Sequence, residues 1–160
     1  MYEKFGEFDS AEELNEAAAG LKAEGDMESL KELAKENGID EYDTEDYING
    51  DTDALATVIT AAVGKLEKEL ESMKEDQEKA MCAFYANFAR TIIAENEEVA
   101  RGIMKKGARI RGIYDAIYEY AKKHKSGGCF SGATTDKQDK ELVTAYYTGK
   151  NLETLFKQWF

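Results

Sequence analysis

The chain has 160 residues, of which 42% are hydrophobic and 11% aromatic, and its formal net charge is −12. This composition suits one domain, or a small lobe joined to a larger one, and excludes wholesale disorder. No apolar run approaches the roughly 20 residues that span a bilayer, and the first residues lack the basic and apolar regions of a signal peptide. The two cysteines, Cys82 and Cys129, lie far apart, which indicates a reduced protein. We therefore expect a soluble, cytoplasmic protein.

The charges are divided unevenly between the two halves of the chain. Residues 1–79 contain 24 Asp and Glu against 8 Lys and Arg, a net charge of −16. Residues 80–160 contain 9 acidic against 13 basic residues, a net charge of +4. An anionic surface repels nucleic acids and membranes and attracts basic protein grooves. The acidic half therefore favours a protein partner.

Three short helices are predicted in the first fifty residues. Each begins at a residue whose side chain can cap the helix N-terminus, and each ends at a glycine. Together they predict an acidic N-terminal helical lobe over residues 1–50. The predicted starts are Ser10, Asp26 and Asp40, and the predicted ends are Gly25, Gly38 and Gly50.

A second unit, a helical bundle, is predicted for residues 51–160. Mostly apolar residues recur at alternating steps of four and three from Ile59 to Asn87. This seam predicts one long helix, or two nearly collinear helices, reaching about Ala94. The charged residues around the seam, Lys65 and Glu69 among them, are expected on its solvent side. We expect the seam to close an intramolecular helical hairpin, with a dimeric coiled coil as the alternative.

The next predicted helix begins at Asn96 and carries a buried stripe of β-branched residues. Gly102, Gly107 and Gly112 interrupt this stripe. Glycine is costly inside a helix, so these positions predict close approach by a neighbouring backbone.

The chain ends with a loop and two short helices. Residues 126–135 are rich in Gly, Ser and Thr and predict a loop around Cys129. Asp136 and Asn151 are expected to cap the last two helices. Because no segment alternates with period two over a useful length, the predicted fold class is all-α.

The sequence contains no clear pattern of a catalytic site or a metal site. One His124 and two distant cysteines do not make a tetrahedral metal site. The carboxylates between Asp40 and Asp53 lack the spacing of a calcium-binding loop. The loop around Cys129 lacks the strand-to-helix setting of a nucleophile elbow. We expect a protein without enzymatic activity, cofactor or metal.

An acidic segment forms the first candidate surface. Residues 29–50 have the outline of a helix-turn-helix, but phosphate would repel the second helix because it carries several carboxylates. Its chemistry fits a partner that offers Arg and Lys; an ordinary solvated helix pair is the alternative. The residues predicted to bind the partner are Glu41, Asp43, Glu45, Asp46, Asp51 and Asp53.

A basic segment, residues 101–125, forms the second candidate surface, with 8 Lys and Arg against 2 acidic residues. Basic and aromatic residues interleaved in this way can follow a nucleic-acid backbone. Alternatively, the last lysines complement a helix C-terminus, or the segment pairs with the acidic lobe of its own chain. The candidate basic residues are Arg101, Lys105, Lys106, Arg109 and Arg111.

Three runs of the N-terminal third, residues 1–10, 25–40 and 46–51, resemble small proteins of bacterial mobile genetic elements related to the PcfK-like conjugation proteins. That group includes type II-A anti-CRISPR inhibitors of Cas9. Residues 117–124 and 139–147 are similar in outline to the C-terminal end of PcfK-like proteins. The middle of the chain carries no such resemblance.

The resemblance implies a non-enzymatic protein of the bacterial host cytoplasm that inhibits Cas9 by binding it or its guide complex. The predicted seam allows either a monomer or a homodimer. It supplies no catalytic residues. Cas9 holds its nucleic acids in positively charged channels, which an anionic helical surface can occupy. The alternative function is a conjugation accessory protein that contacts DNA through residues 101–125.

Overall fold

The computed structural model describes residues 2–126 and 132–160, and these residues form nine α-helices. The fold class is all-α, as predicted. Cys129 lies outside the described residues. The helices are α1 (Ala11–Glu24), α2 (Met27–Glu36), α3 (Glu41–Asn49), α4 (Val58–Ser72), α5 (Asp76–Ile93), α6 (Glu97–Met104), α7 (Arg111–His124), α8 (Asp136–Tyr147) and α9 (Leu152–Trp159).

Local sequence sets most helix ends. The Ser10 hydroxyl accepts a hydrogen bond from the Glu13 N–H at 3.1 Å and so caps α1. Asp26 and Asp40 cap α2 and α3 in the same way. Helix α8 is the exception, because Thr135 rather than the predicted Asp136 is its N-cap. A threonine at this position forms a reciprocal capping box with the residue three positions later.

The prediction of one long helix, or two collinear helices, after Ile59 is wrong. The helix breaks at Met73–Glu75, and α5 folds back along α4. The Arg90 guanidinium thereby lies 3.8 Å from the Glu67 carboxylate, a distance that collinear helices could not allow. Helices α4 and α5 thus form a helical hairpin within the stretch that was predicted to be straight.

The predicted seam also has the wrong phase. Of its members, Leu66 is buried, but Ile59 and Phe84 are exposed. The buried faces of α4 and α5 instead combine many small residues with a few large ones and two charged residues. These buried residues are Ala61, Ala62, Gly64, Lys65, Leu66 and Glu69 on α4 and Cys82, Tyr85, Ala86, Ala89 and Ile93 on α5.

The basic segment is not one helix either. Helix α6 ends at Met104, and α7 begins at Arg111. Between them, Ala108 N–H donates to Lys105 O at 3.1 Å, and Gly107 has a φ of 77°. This is a β-turn with glycine at the position where a left-handed conformation is needed. We refer to residues 105–110 as the α6–α7 connection.

Helices α4, α5, α6 and α8 form the centre of the fold, and each packs against at least two of the others. Helices α1, α2 and α3 pack in sequence on one side, where α1 contacts α4. Helices α7 and α9 cover the other side, against α8. One hydrophobic cluster extends from Leu14 in α1 to Phe156 in α9. The division of the chain at residue 50 stays a prediction.

Of the three glycines in the predicted stripe, Gly102 is approached by a neighbouring backbone, as expected, whereas Gly112 is approached by a side chain. A Cβ on Gly102 would lie 2.8 Å from the Tyr147 carbonyl carbon, and one on Gly112 would lie 2.7 Å from Tyr146 Cζ. Gly107 meets no such neighbour and is required by its φ instead. A further close approach joins α4 to the end of α2, where a Cβ on Gly64 would lie 2.8 Å from Gly38 O.

We predict that Gly64→Ala lowers the free energy of unfolding by about 1–3 kcal/mol, because the added methyl group overlaps main-chain atoms that cannot move aside. Gly20→Ala is the matched control, since Gly20 lies in α1 with nothing within 4 Å of the added Cβ. That control should stabilise the protein by about 0.5–1 kcal/mol through helix propensity alone. Urea unfolding followed by circular dichroism measures both. Equal effects of the two substitutions would contradict the close approach.

Candidate binding surface on helix α3

The predicted acidic residues lie together on α3 and the turn that follows it. Residues 36–64 contain eight Asp and Glu and no Lys or Arg. Within the described part of the chain, none of the six predicted residues forms an ion pair. Four of them are exposed and two half-buried. We call Glu41, Asp43, Glu45, Asp46, Asp51 and Asp53 the acidic surface.

The inner face of α3 fixes the orientation of this surface. Thr44 and Tyr47 are buried against the neighbouring helices. The Lys22 ammonium lies 4.3 Å from the centre of the Tyr47 ring and donates to the Tyr47 carbonyl oxygen. This cation therefore binds behind α3. On the outer side Lys31 and Lys35 line a groove together with Glu41 and Glu45, without an ion pair to them among the described residues.

The carboxylates of the acidic surface influence one another. The pKa of Asp43 is raised, first by its partial burial and then by the charges of Asp40 and Asp46. The smaller, electrostatic part of this shift places two further carboxylates near Asp43, and an incoming cation would relieve their repulsion.

An aromatic ring stands in the middle of the acidic surface. Tyr42 is 73% exposed, the highest value among the exposed large hydrophobic side chains of the described residues. Glu45 and Asp46 lie three and four positions further along α3, on the same helix face. Sequence reasoning missed Tyr42 because a tyrosine in a short helix is usually assigned to the core.

The basic residues occupy a different environment, because most of them pair with acidic residues of the same chain. Arg101 contacts Glu12 and Glu97, each at 2.7 Å. Arg111 contacts Glu78 at 2.9 Å. Further pairs join Lys106 to Glu13 at 3.7 Å and Arg109 to Glu7. Lys105 is exposed and its ammonium forms no ion pair among the described residues.

Four charged residues form a cluster that joins the N-terminal segment, residues 2–10 before α1, to α4 and the α6–α7 connection. The Lys65 ammonium contacts the Glu7 carboxylate at 2.8 Å, and Arg109 Nη2 donates to Glu7 Oε2 at 2.8 Å. Glu69 accepts a hydrogen bond from the Ile110 N–H at 2.7 Å and lies 4.0 Å from Arg109. We call Glu7, Lys65, Glu69 and Arg109 the ion cluster.

The ion cluster corrects the expectation that Lys65 and Glu69 face solvent, since the side chain of each is only 3% exposed. Burial lowers the pKa of Lys65, and it raises the pKa of Glu69. Burial also opposes the charge of Glu7, but hydrogen bonds from Arg109 and Lys65 outweigh it and lower the pKa of Glu7 to about 2. The sequence signal for the cluster is the spacing of four between Lys65 and Glu69, which places both side chains on one helix face.

A cleft of about 760 Å³ adjoins the ion cluster, between the α4–α5 break and the start of α7. Its walls mix both charge signs, with Lys74, Arg109 and Arg111 facing Glu75, Glu78 and Asp115. Because Arg111 is paired with Glu78 across it, the cleft does not present a single charge to a ligand.

His124 and Cys82, the described residues that were considered for catalysis or metal binding, pack against other parts of the helices. His124 Nδ1 is 2.8 Å from Tyr120 O, and the two rings stack. Cys82 is buried, and burial followed by the charge of Glu78 raises the pKa of its thiol to about 11. No group of three or more His, Cys, Asp or Glu in residues 2–126 and 132–160 is placed to hold a metal ion.

Comparison with known protein families, with curated proteins and with solved structures finds no match. Among the residues that the structure describes, no helix combines the length and the apolar character needed to cross a membrane.

We predict that Lys65→Met lowers the free energy of unfolding by about 3–5 kcal/mol, because it leaves the carboxylates of Glu7 and Glu69 with Arg109 as the one remaining cation of the cluster in a poorly solvated site. Arg101→Met removes an exposed cation with two carboxylate partners and should cost less than about 1 kcal/mol. Urea unfolding at neutral pH compares the two variants. A loss for Lys65→Met no larger than that for Arg101→Met would show that the cluster does not hold the fold.

The low pKa of Glu7 predicts an acid-sensitive fold. A carboxyl whose pKa is lower in the folded state contributes stability above its ordinary value near 4.5, and loses it as the pH falls toward about 2. Glu69 acts in the opposite direction, because its raised pKa favours the folded state at low pH. We therefore expect Glu7→Gln to be less stable than the wild type at neutral pH. Its free energy of unfolding should also fall less steeply as the pH is lowered below about 4.5. Parallel pH profiles of the two proteins, measured by urea unfolding, would contradict this assignment.

Proposed function

We propose that this chain is a non-enzymatic inhibitor that binds Cas9, or its guide complex, through the acidic surface. The observation that carries the proposal is the distribution of the carboxylates. The carboxylates of Glu7, Glu12 and Glu13 pair with basic side chains between residues 101 and 109. The carboxylates of α3 form no ion pair with any cation in the described residues. The identity of the partner comes from the resemblance to anti-CRISPR proteins.

The chemistry of the acidic surface supports a basic protein groove as its partner. Cas9 binds nucleic acid in positively charged channels and reads its adjacent motif with arginines. Carboxylates on one side of a short helix can occupy such a channel in place of phosphates. The same carboxylates repel nucleic acid, so binding to the protein excludes the nucleic acid from the site.

Carboxylates alone cannot supply a tight complex. Four solvent-exposed ion pairs contribute about 1–4 kcal/mol in total, whereas a nanomolar dissociation constant requires about 12 kcal/mol. The carboxylates therefore set the association rate and the selectivity. Tyr42 supplies the kind of exposed aromatic anchor that dominates interface energies.

We predict that neutralising Glu41, Asp43, Glu45 and Asp46 together, with the matching amides, weakens binding to Cas9 about tenfold or more. The matched control removes the same charge from exposed acidic residues of the C-terminal half, Glu95, Glu98, Asp136 and Glu141. Bio-layer interferometry at two salt concentrations and a DNA-cleavage assay measure the effect. Affinity of the α3 variant should also depend less on salt.

Two results would contradict the proposal. The first is a wild-type protein that neither binds Cas9 nor reduces its cleavage of DNA. The second is an equal loss of affinity for the α3 variant and its control, which would assign the effect to net charge rather than to the acidic surface. Tyr42→Ala, which leaves the net charge unchanged, should weaken binding by about 2 kcal/mol.

A second candidate function is contact with DNA through residues 101–125, as in a conjugation accessory protein. The observation that favours it is the exposed end of α7, where Tyr118 is 56% exposed and three of the last four residues up to Lys125 are lysines. A gel shift with single- and double-stranded DNA tests it. Because Arg109 belongs to the ion cluster, Lys122→Glu with Lys123→Glu is the cleaner variant for loss of binding.

A further inference from the structure

Hydrogen-bond donors from the main chain and from two basic side chains surround one point at the α6–α7 connection. The turn directs the N–H groups of Lys106 and Gly107 to one side of the loop. The Arg109 guanidinium and the buried Lys65 ammonium approach from neighbouring positions. Successive main-chain N–H groups at a glycine turn, with cations beside them, are a recurrent receptor for oxyanions.

Carboxylates of the protein's own N-terminal segment fill this receptor. Glu7 accepts from Gly107 N–H at 3.3 Å and from Arg109 Nη2 and Lys65 Nζ, both at 2.8 Å. Asp9 Oδ1 accepts from Lys106 N–H at 2.8 Å. Two carboxylates, separated by about a hundred positions from the loop, thus occupy the places that phosphate oxygens would take.

The segment that carries Glu7 is attached differently from the rest of the fold. It has no helix before Ala11, and Gly6 turns it with a φ of 78°. Its other polar attachments are exposed: Glu36 accepts from the N–H groups of Glu3 and Lys4 at 2.7 and 3.1 Å, and the Lys4 ammonium contacts Glu32 and Ser29. Phe5 and Phe8 also pack against the hydrophobic core. Because the segment contains no helix, it can detach without unfolding one.

We propose that the α6–α7 connection with Lys65 is an oxyanion site which Glu7 occupies in cis, and that it accepts a phosphate group when the N-terminal segment is displaced. The charge of the site requires an anion. Lys65 and Arg109 carry two positive charges against the single carboxylate of Glu69, and the Lys65 side chain is 3% exposed. Without Glu7 the buried ammonium would keep its hydrogen bonds to the main-chain carbonyl oxygens of Met104 and Lys105, and Glu69 would be the one carboxylate of the ion cluster left near it.

The site also explains the composition of the loop. Two lysines, a glycine and an arginine between residues 105 and 109 are the residue types that bind phosphate, yet Lys106, Gly107 and Arg109 contact carboxylates of the protein itself. This inference is independent of the acidic surface on α3, since it concerns a different part of the molecule and an anionic ligand.

The test replaces the internal ligand. Glu7→Ala and the milder Glu7→Gln are titrated with sodium phosphate, and with sodium chloride at equal ionic strength, while the melting temperature and the amide signals of Lys106 and Gly107 are recorded. We expect phosphate to raise the melting temperature of the Glu7 variants and to shift those two signals, with an affinity about tenfold or more above that of the wild type. Glu12→Ala, which removes an exposed contact between α1 and Arg101, is the control and should show no response specific to phosphate.

A second arm identifies the source of the phosphate group. A labelled single-stranded oligonucleotide is added to the same variants and followed by fluorescence anisotropy. Binding of phosphate alone assigns the site to a small anion, and binding of both assigns it to a nucleic-acid backbone. If the Glu7 variants respond to phosphate no more than to chloride, or if adding Arg109→Ala leaves a phosphate response unchanged, the proposal is overturned. Glu7→Gln keeps a hydrogen-bonding side chain in place and provides the test if Glu7→Ala does not fold.

Discussion

The buried ion cluster is the interaction on which the arrangement of this protein depends. Lys65 and Glu69 project from one face of α4 into the space between α6 and α7, and Glu7 closes the site from the N-terminal segment. Removing any one charge leaves a net charge among the other three in a poorly solvated place, which costs more than an exposed pair contributes. The cluster therefore joins the first ten residues, the central hairpin and the break between α6 and α7 into one unit.

The cluster also determines which charges are left for a partner. The acidic and basic halves of the chain are not simply opposed, because Glu7, Glu12 and Glu13 are each within ion-pair distance of a basic side chain from residues 101–109. What remains uncompensated is the segment around α3, where no basic residue occurs between positions 36 and 64. The surface available to a partner therefore depends on which carboxylates lack an ion pair within the chain, and the net charge alone does not identify them.

Much of the fold could be predicted from sequence, and the failures have a common cause. Helix starts at Ser10, Asp26, Asp40, Asn96 and Asn151 are encoded locally by a capping side chain, so they are visible in sequence. The break at Met73–Glu75 has no proline or glycine and arises from packing, as do the buried positions of Lys65 and Glu69. Hydrophobic periodicity underestimates alanine-lined faces and cannot anticipate a buried charge whose partners lie far along the chain. The acidic residues of α3 were found by composition, whereas the exposure of Tyr42 is visible only in the structure.

Two parts of the molecule have separate roles in this division: the ion cluster stabilises the fold, and α3 presents its carboxylates and Tyr42 outward. Hydrogen–deuterium exchange of this protein, alone and with guide-loaded Cas9, tests that division most directly. We expect added protection in peptides covering residues 41–53 and unchanged exchange in the α6–α7 connection. Protection confined to residues 101–125, or no protection anywhere in the presence of Cas9, would contradict it.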